Sequence, residues 1–175
     1  MDSRLTDVPV VVGPSSFEEL FRRELRSVIA LAYALSGSRL AAEEIAQEAF
    51  LAAHRRWSEV RAYDDPGAWV RKVCANHAMS HVRRRLAEAR AMTRLGARPV
   101  LPAELSTVDA EFWREVRHLP RRQAQVVALF YVDDRSIADI AALLGVAEGT
   151  VRAQLHTARL TLASRLGSSR SEEDT

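Results

Sequence analysis

Lysine is almost missing from this chain: of 25 lysine and arginine residues, Lys72 is the single lysine. Arginine in such excess can follow genome composition as readily as nucleic-acid binding, and a formal net charge of +2 identifies no partner. Cysteine is as scarce. The lone thiol, Cys74, excludes an internal disulfide framework and fits a reducing compartment such as the cytoplasm. With 7 glycines and 6 prolines in 175 residues there is little to interrupt helices. Period-two alternation of apolar residues is hard to find, so the composition points to an all-α fold. No apolar run approaches a membrane-spanning length. Near the N-terminus the longest, Val8 to Val12, is broken by Pro9 and too short for an export signal. Also missing are a phosphate-binding glycine loop and any pairing of acid, base and nucleophile, which leaves no catalytic residue and no cofactor to assign.

What is present is the stretch from Ser136 to Leu162, SIADIAALLGVAEGTVRAQLHTARLTL, which reads as two helices joined by a glycine turn. Ser136 can cap the first helix with Asp139 returning the bond, and Ile137, Ile140, Ala141 and Leu144 follow at helical spacing. Gly145 supplies the left-handed residue that stops a helix, and Val146 can tuck into the corner behind it. On the second helix Val151, Leu155, Ala158 and Leu162 share one side, whereas Gly149, Arg152, Ala153, His156 and Thr157 gather on the other. Small residues beside an arginine near a helix start suit a recognition helix in the major groove. An amphipathic surface helix after a glycine turn has the same periodicity, but the cap, the turn and the outward face agree on a helix-turn-helix.

Residues 1–14 read as a poorly ordered arm. A helical domain follows over residues 15–90, opening at Ser15 and Ser16 with a buried stripe of Phe17, Leu20, Phe21, Leu25, Val28, Ala32 and Leu35. Ser38 caps a second helix, to about Trp57, that buries Ile45, Ala49 and Ala53. Its other face aligns Glu44, Gln47, Glu48 and Leu51, either a solvated surface or a docking surface for a basic partner. A polar connection from Trp57 to Pro66 leads to a third helix, with Asp65 as cap and Pro66 at the first helical position. There Trp69, Val70, Val73, Cys74, His77 and His81 form one arc, and Lys72, Asn76, Met79 and Arg83 form the opposite, candidate contact arc. The second arc can hold phosphates and a base edge, while Arg83 to Arg85 also suit a helix C-terminus through its dipole. Two histidines at i and i+4 beside a cysteine suggest a metal site, but HAMSH lacks the glutamate of zinc proteases and a second cysteine pair. Core packing is the better reading, with no metal.

Gly96, Pro99 and Pro102 break the helical pattern and mark residues 91–107 as a flexible linker. The second domain, residues 108–167, has four short helices, the first carrying Phe112, Trp113 and Val116 and the second running from Pro120 through Val132. The tail over residues 168–175 is polar and expected to be disordered.

Three motifs in register carry a resemblance over roughly Phe17 to Leu166. AAEEIAQEAF, Ala41 to Phe50, resembles the polymerase-gripping helix of extracytoplasmic-function sigma factors. WVRKVCANHAMSHVRRR, Trp69 to Arg85, resembles their promoter-melting helix, and LPRRQAQVVALFY with GVAEGTVRAQLHTAR resembles their fourth region. The resemblance implies an alternative sigma factor rather than an enzyme. Its partners would be core RNA polymerase, at the beta-prime clamp and beta flap, and promoter DNA, with an anti-sigma factor admitted as a third. It also implies roles: Glu44, Gln47, Glu48 and Leu51 toward polymerase; Tyr63, Asp64, Lys72, Asn76, Arg83 and Arg84 around the melted minus-10 element; and Gly149, Thr150, Arg152, Ala153, His156 and Thr157 on the minus-35 element. Some positions depart from the family: Ser80 stands where aspartate is usual, Ala124 where arginine is frequent, Asp139 where glutamate is usual, and Thr157 where some members place an arginine toward DNA. A stand-alone helix-turn-helix regulator of duplex operators would leave the first domain unexplained. An all-helical enzyme using Cys74, His77 and His81 would lack a complete set of catalytic groups.

Overall fold

The computed structural model describes Pro14, residues 16–94 and residues 108–173. Among them are α1 (Phe17–Ser36), α2 (Arg39–Arg55), α3 (Trp57–Val60), α4 (Pro66–Arg94), α5 (Val108–Arg117), α6 (Arg121–Tyr131), α7 (Ile137–Leu144) and α8 (Glu148–Glu173), with no strand. Of the predicted arm over residues 1–14 only Pro14 is described, and Ser15 is not; the predicted linker over residues 91–107 starts later than expected, because residues 91–94 continue α4, and its remainder from 95 lies outside the described residues. The all-α, two-part organisation expected from the sequence is the one observed.

Local signals place most helix starts. The Ser16 hydroxyl accepts from the Glu19 amide at 3.2 Å to open α1, and Ser38 accepts from Ala41 at 3.3 Å to open α2. Each bond satisfies an amide that the first helical turn would otherwise leave unpaired. At α4, Asp65 Oδ1 accepts from the Ala68 amide at 2.9 Å, as its position before Pro66 predicts. The connection before it is less irregular than expected, because Trp57–Val60 form the short helix α3. At the other end of the chain, Gly167 does not stop α8, whose helical backbone continues to Glu173. A glycine costs a helix interior only about 1 kcal/mol relative to alanine, and the residues after Gly167 contain no proline to enforce an end.

The first half packs α1, α2 and α4 together, and the second packs α5, α6 and α7 around the front of α8. The buried face of α2, Ile45, Ala49 and Ala53 with Ala42, Ala46 and Phe50, is rich in alanine, so its neighbours approach closely. On α1 the buried face differs from the predicted stripe. Phe21 is 37% exposed and Leu25 half-buried, while Glu24 and Leu31 take inner positions. A glutamate can turn inward there because Arg71 of α4 meets it. The two halves touch: α5 and α6 lie against α1, and α6 and α7 against α4.

Candidate polymerase and promoter interfaces

The helix-turn-helix is built from short-range bonds. Ser136 Oγ accepts from the Asp139 amide at 3.1 Å, and the Ser136 amide donates to Asp139 Oδ2 at 3.2 Å, completing a capping box with aspartate in place of the family's glutamate. The Ser136 hydroxyl also donates to Asp139 Oδ2 at 2.7 Å, and that bond first, with the one from the Ser136 amide, holds the Asp139 carboxyl below its ordinary pKa. Gly145 has φ 68°, and the amides of Gly145 and Val146 donate to Ala142 and Ala141 oxygens at 3.3 and 3.0 Å, a Schellman ending. Any other residue in that left-handed conformation would be strained by roughly 1–2 kcal/mol. Past the turn, Val151, Leu155, Ala158 and Leu162 are buried, while Gly149, Thr150, Arg152, Ala153, His156 and Thr157 are all exposed. The outward set therefore occupies one solvent-facing strip of α8. Arg152 lies along it, donating to Glu148 Oε2 at 2.8 Å. An exposed pair of this kind is worth only a few tenths of a kcal/mol, so the guanidinium can leave it for a phosphate or a base edge.

Glu44, Gln47, Glu48 and Leu51 also share an exposed strip, on α2. Beside it runs an open, mainly apolar groove of about 590 Å³ between α1 and α2, lined among others by Phe21, Leu40, Phe50 and Leu51 and rimmed by Glu43 and Glu44. Exposed leucines beside carboxylates favour a partner offering both apolar and basic side chains. His77 of α4 reaches this strip, its Nδ1 lying 2.8 Å from Glu48 Oε2. The core position expected for His77 is thus not the one observed: the side chain is 41% exposed. His81 is half-buried, and burial, with Arg84 and Arg85 adding like charge, lowers its pKa. Cys74, by contrast, is fully buried against the Val28 carbonyl, and burial pushes its thiol up to about 12. A nucleophile or metal ligand needs the thiolate, which that environment disfavours.

The minus-10 candidates are split between loop and helix. Tyr63 and Asp64 are exposed in the loop before α4. Tyr63 donates to Glu59 Oε1 at 2.6 Å, Arg56 grips the same carboxylate at 2.6 and 3.1 Å, and the Arg56 guanidinium sits 5.6 Å from the centre of the Trp69 ring. This chain of contacts steadies the phenol ring, and the bond to Glu59 raises its pKa. Arg83 and Arg84 are exposed on α4, Lys72 and Asn76 only half-buried, and Met79, expected on the same open arc, is 3% exposed. Met79 fails as a contact residue because α4 has neighbours on more than one side. The departure at Ser80 is accommodated by a hydroxyl that donates to the Asn76 carbonyl at 2.9 Å and accepts from Arg83. Ala124 lies fully buried in α6, and Thr157 stands on the outer strip of α8.

Sequence reasoning missed a buried polar cluster where the halves meet. Arg71, 6% exposed, pairs with Glu24 and donates to Ser27 Oγ within the first half; its Nε also donates to Asp133 Oδ1, in the turn between α6 and α7, at 2.8 Å. Arg135 braces Asp133 at 2.9 Å and reaches back to Asp65 at 3.3 Å. A Cβ on Gly67 would come 2.7 Å from Arg71 Nη1 and 2.8 Å from Glu24 Oε1, so this glycine makes room for the pair. Nearby, Asn76 Oδ1 accepts from Arg121 Nη2 and, at 3.0 Å, from Gln125 Nε2. The available signals were Glu24 one turn from both Leu20 and Val28, and a glutamine inside the apolar run of α6.

Comparison with known proteins accounts for both halves. Residues 20–87 match the model of Sigma-70 region 2, and residues 109–162 match Sigma-70, region 4. The chain is 32% identical over 170 residues to the ECF RNA polymerase sigma factor SigM of Mycobacterium tuberculosis, covering 95% of this chain and 85% of that one. It is 32% identical over 168 residues to the ECF RNA polymerase sigma factor SigE of Mycolicibacterium smegmatis, covering 90% and 64%. Its fold matches the sigma factor RpoE from Bartonella quintana, solved in complex with the anti-sigma factor NepR, with a TM-score of 0.65, 23% identity and coverage of 86% and 96%. With two sigma regions in order and relatives spanning nearly its whole length, the chain belongs to the extracytoplasmic-function (ECF) RNA polymerase sigma factors.

Proposed function

We propose that this alternative sigma factor distributes promoter recognition over three surfaces. The α2 strip of Glu44, Gln47, Glu48 and Leu51, with its groove, holds core polymerase. The outer strip of α8 reads the minus-35 duplex. The Tyr63–Pro66 loop with Lys72, Asn76, Arg83 and Arg84 captures the melted minus-10 strand. The observation that carries the reading is the division of α8 into a fully packed inner face and an exposed outer one, in a chain that also contains region 2. A lone operator-binding regulator would have no use for that region. Captured bases need a stacking surface and polar edges, which Tyr63 and Asn76 can supply once exposed. This work belongs in the cytoplasm, and among the described residues no helix is long and apolar enough to cross a membrane. An anti-sigma factor is a further partner that the family relation admits. Transcription from a promoter library by purified core polymerase plus this protein tests the whole reading; no specific start site would sink it.

Three substitutions test its parts. Arg152→Ala is expected to weaken binding to a minus-35 duplex by about 1–3 kcal/mol if the guanidinium reads a base, and by less if it holds a phosphate. Base reading relaxes preference at one position, whereas phosphate contact lowers affinity evenly and flattens the salt dependence. Unchanged affinity and selectivity would remove Arg152 from the site. Tyr63→Ala and Asn76→Ala are expected to spare that duplex binding but reduce permanganate reactivity of thymines near the start site in the polymerase complex. Full reactivity in both variants would contradict the minus-10 assignment.

A further inference from the structure

We propose that His77 of α4 is a positioning residue for the polymerase strip of α2: from the neighbouring helix its imidazole holds the Glu48 carboxylate ready for a basic partner without cancelling the charge that the partner needs. The inference rests on the proposed role of that strip. Its geometry crosses the contact between α2 and α4, where His77 Nδ1 lies 2.8 Å from Glu48 Oε2. A carboxylate has no proton to give, so the imidazole donates through Nδ1–H. The bond engages Oε2, and the glutamate side chain stays 64% exposed. A carboxylate can accept about four hydrogen bonds, so one from His77 leaves most of that capacity for a partner.

Helical spacing repeats the arrangement one turn on. Burial first, then Arg84 and Arg85, lower the pKa of His81, while Glu44, one turn before Glu48 on α2, and Glu88 act against them. The two histidines of HAMSH therefore run beside the two glutamates of the docking strip, imidazole to carboxylate on successive turns. Imidazole suits this seat better than a permanent cation. Lysine or arginine would grip Glu48 more strongly, but the resulting pair carries no net charge, and attraction to a basic surface depends on the carboxylate keeping its own. A neutral imidazole donates one hydrogen bond and leaves that charge in place. The gain is preorganisation. A free glutamate gives up rotamer freedom when it docks, and holding it beforehand spares the complex a factor of about two to ten in affinity. Because the pair is open to water, it adds little to the fold, and docking can be separated from stability.

The test measures equilibrium binding of the full chain to purified core polymerase, with thermal melts to confirm that each variant is folded. His77→Ala is expected to weaken binding about two- to tenfold with little change in melting temperature. His77→Asn, whose amide N–H can stand close to the place of Nδ1–H, should recover most of that loss. His77→Lys should weaken binding at least as much as alanine does, although it pairs with Glu48 more strongly; a merely structural contact predicts the reverse. In a Glu48→Ala background His77→Ala should add nothing, because the histidine acts only through that carboxylate. Parental binding by His77→Ala or His77→Lys would overturn the proposal, as would a His77→Asn variant that recovers nothing or an equal loss from His77→Ala with and without Glu48. Glu48→Ala by itself shows which level has failed. If it weakens binding while His77→Ala does not, the strip docks polymerase and only the positioning is refuted; if neither changes binding, the docking role of Glu48 has failed as well.

Discussion

Replacing Glu44 and Glu48 together with arginine is expected to abolish capture of core polymerase at concentrations where the parent binds, a loss of more than about a hundredfold, while leaving the helices intact. Docking and stability depend on these carboxylates for different physical reasons. Both carboxylates are exposed, and the contact between Glu48 and His77 joins side chains that are 64% and 41% accessible. Pairs so open to water contribute at most about 1 kcal/mol each to the fold. Against a basic partner surface, the same reversal turns attraction into repulsion at close range, which costs on the order of several kcal/mol and converts to the stated loss of affinity. Co-purification with core polymerase gives the affinity, and a circular dichroism melt gives the stability. A folded double variant that captures polymerase as well as the parent would reduce the α2 strip to a solvated face, leaving the apolar groove beside it as the docking element.

Leu155→Ala is expected to be the most damaging single truncation in the minus-35 reader, lowering stability by roughly 2–5 kcal/mol. The side chain is 4% exposed, among Val151, Ala158 and Leu162 of the inner face. Removing it leaves a cavity in the core beneath α8, and the loss is a large share of the about 5–15 kcal/mol that holds a typical domain together. Minus-35 binding should then fall because α8, the proposed recognition helix, no longer has a fixed seat, even though no residue of its outer strip has changed. Leu160→Ala supplies the contrast. That leucine is 60% exposed, and its loss should stay within about 0.5 kcal/mol. Thermal melts of the two variants rank them, and equal or inverted losses would mean that α8 presents a different face from the one described.

The helix-turn-helix was legible from the residues because everything that defines it is local. The capping box spans Ser136 to Asp139, the stop needs only Gly145, and a helical period applied to Val151, Leu155, Ala158 and Leu162 finds the inner face without knowledge of what covers it. The same holds for the caps at Ser16, Ser38 and Asp65, whose bonds close within three residues. On α4 that reasoning fails. A period divides a helix into one wet and one dry side, but α4 has α1 and α2 on one flank and α6 and α7 on another. Met79 is therefore buried on the arc expected to be open, and His77 reaches Glu48 from the arc expected to be closed. Chain order alone determined that this protein is all-α, where most of its helices begin, and which strip of α8 faces outward. Only the tertiary structure decided that Glu24, Arg71 and Asp133 share one buried cluster and that Asn76 is held by region 4. Those pairings join residues far apart in sequence, where periodicity carries no information and only packing brings the charges together.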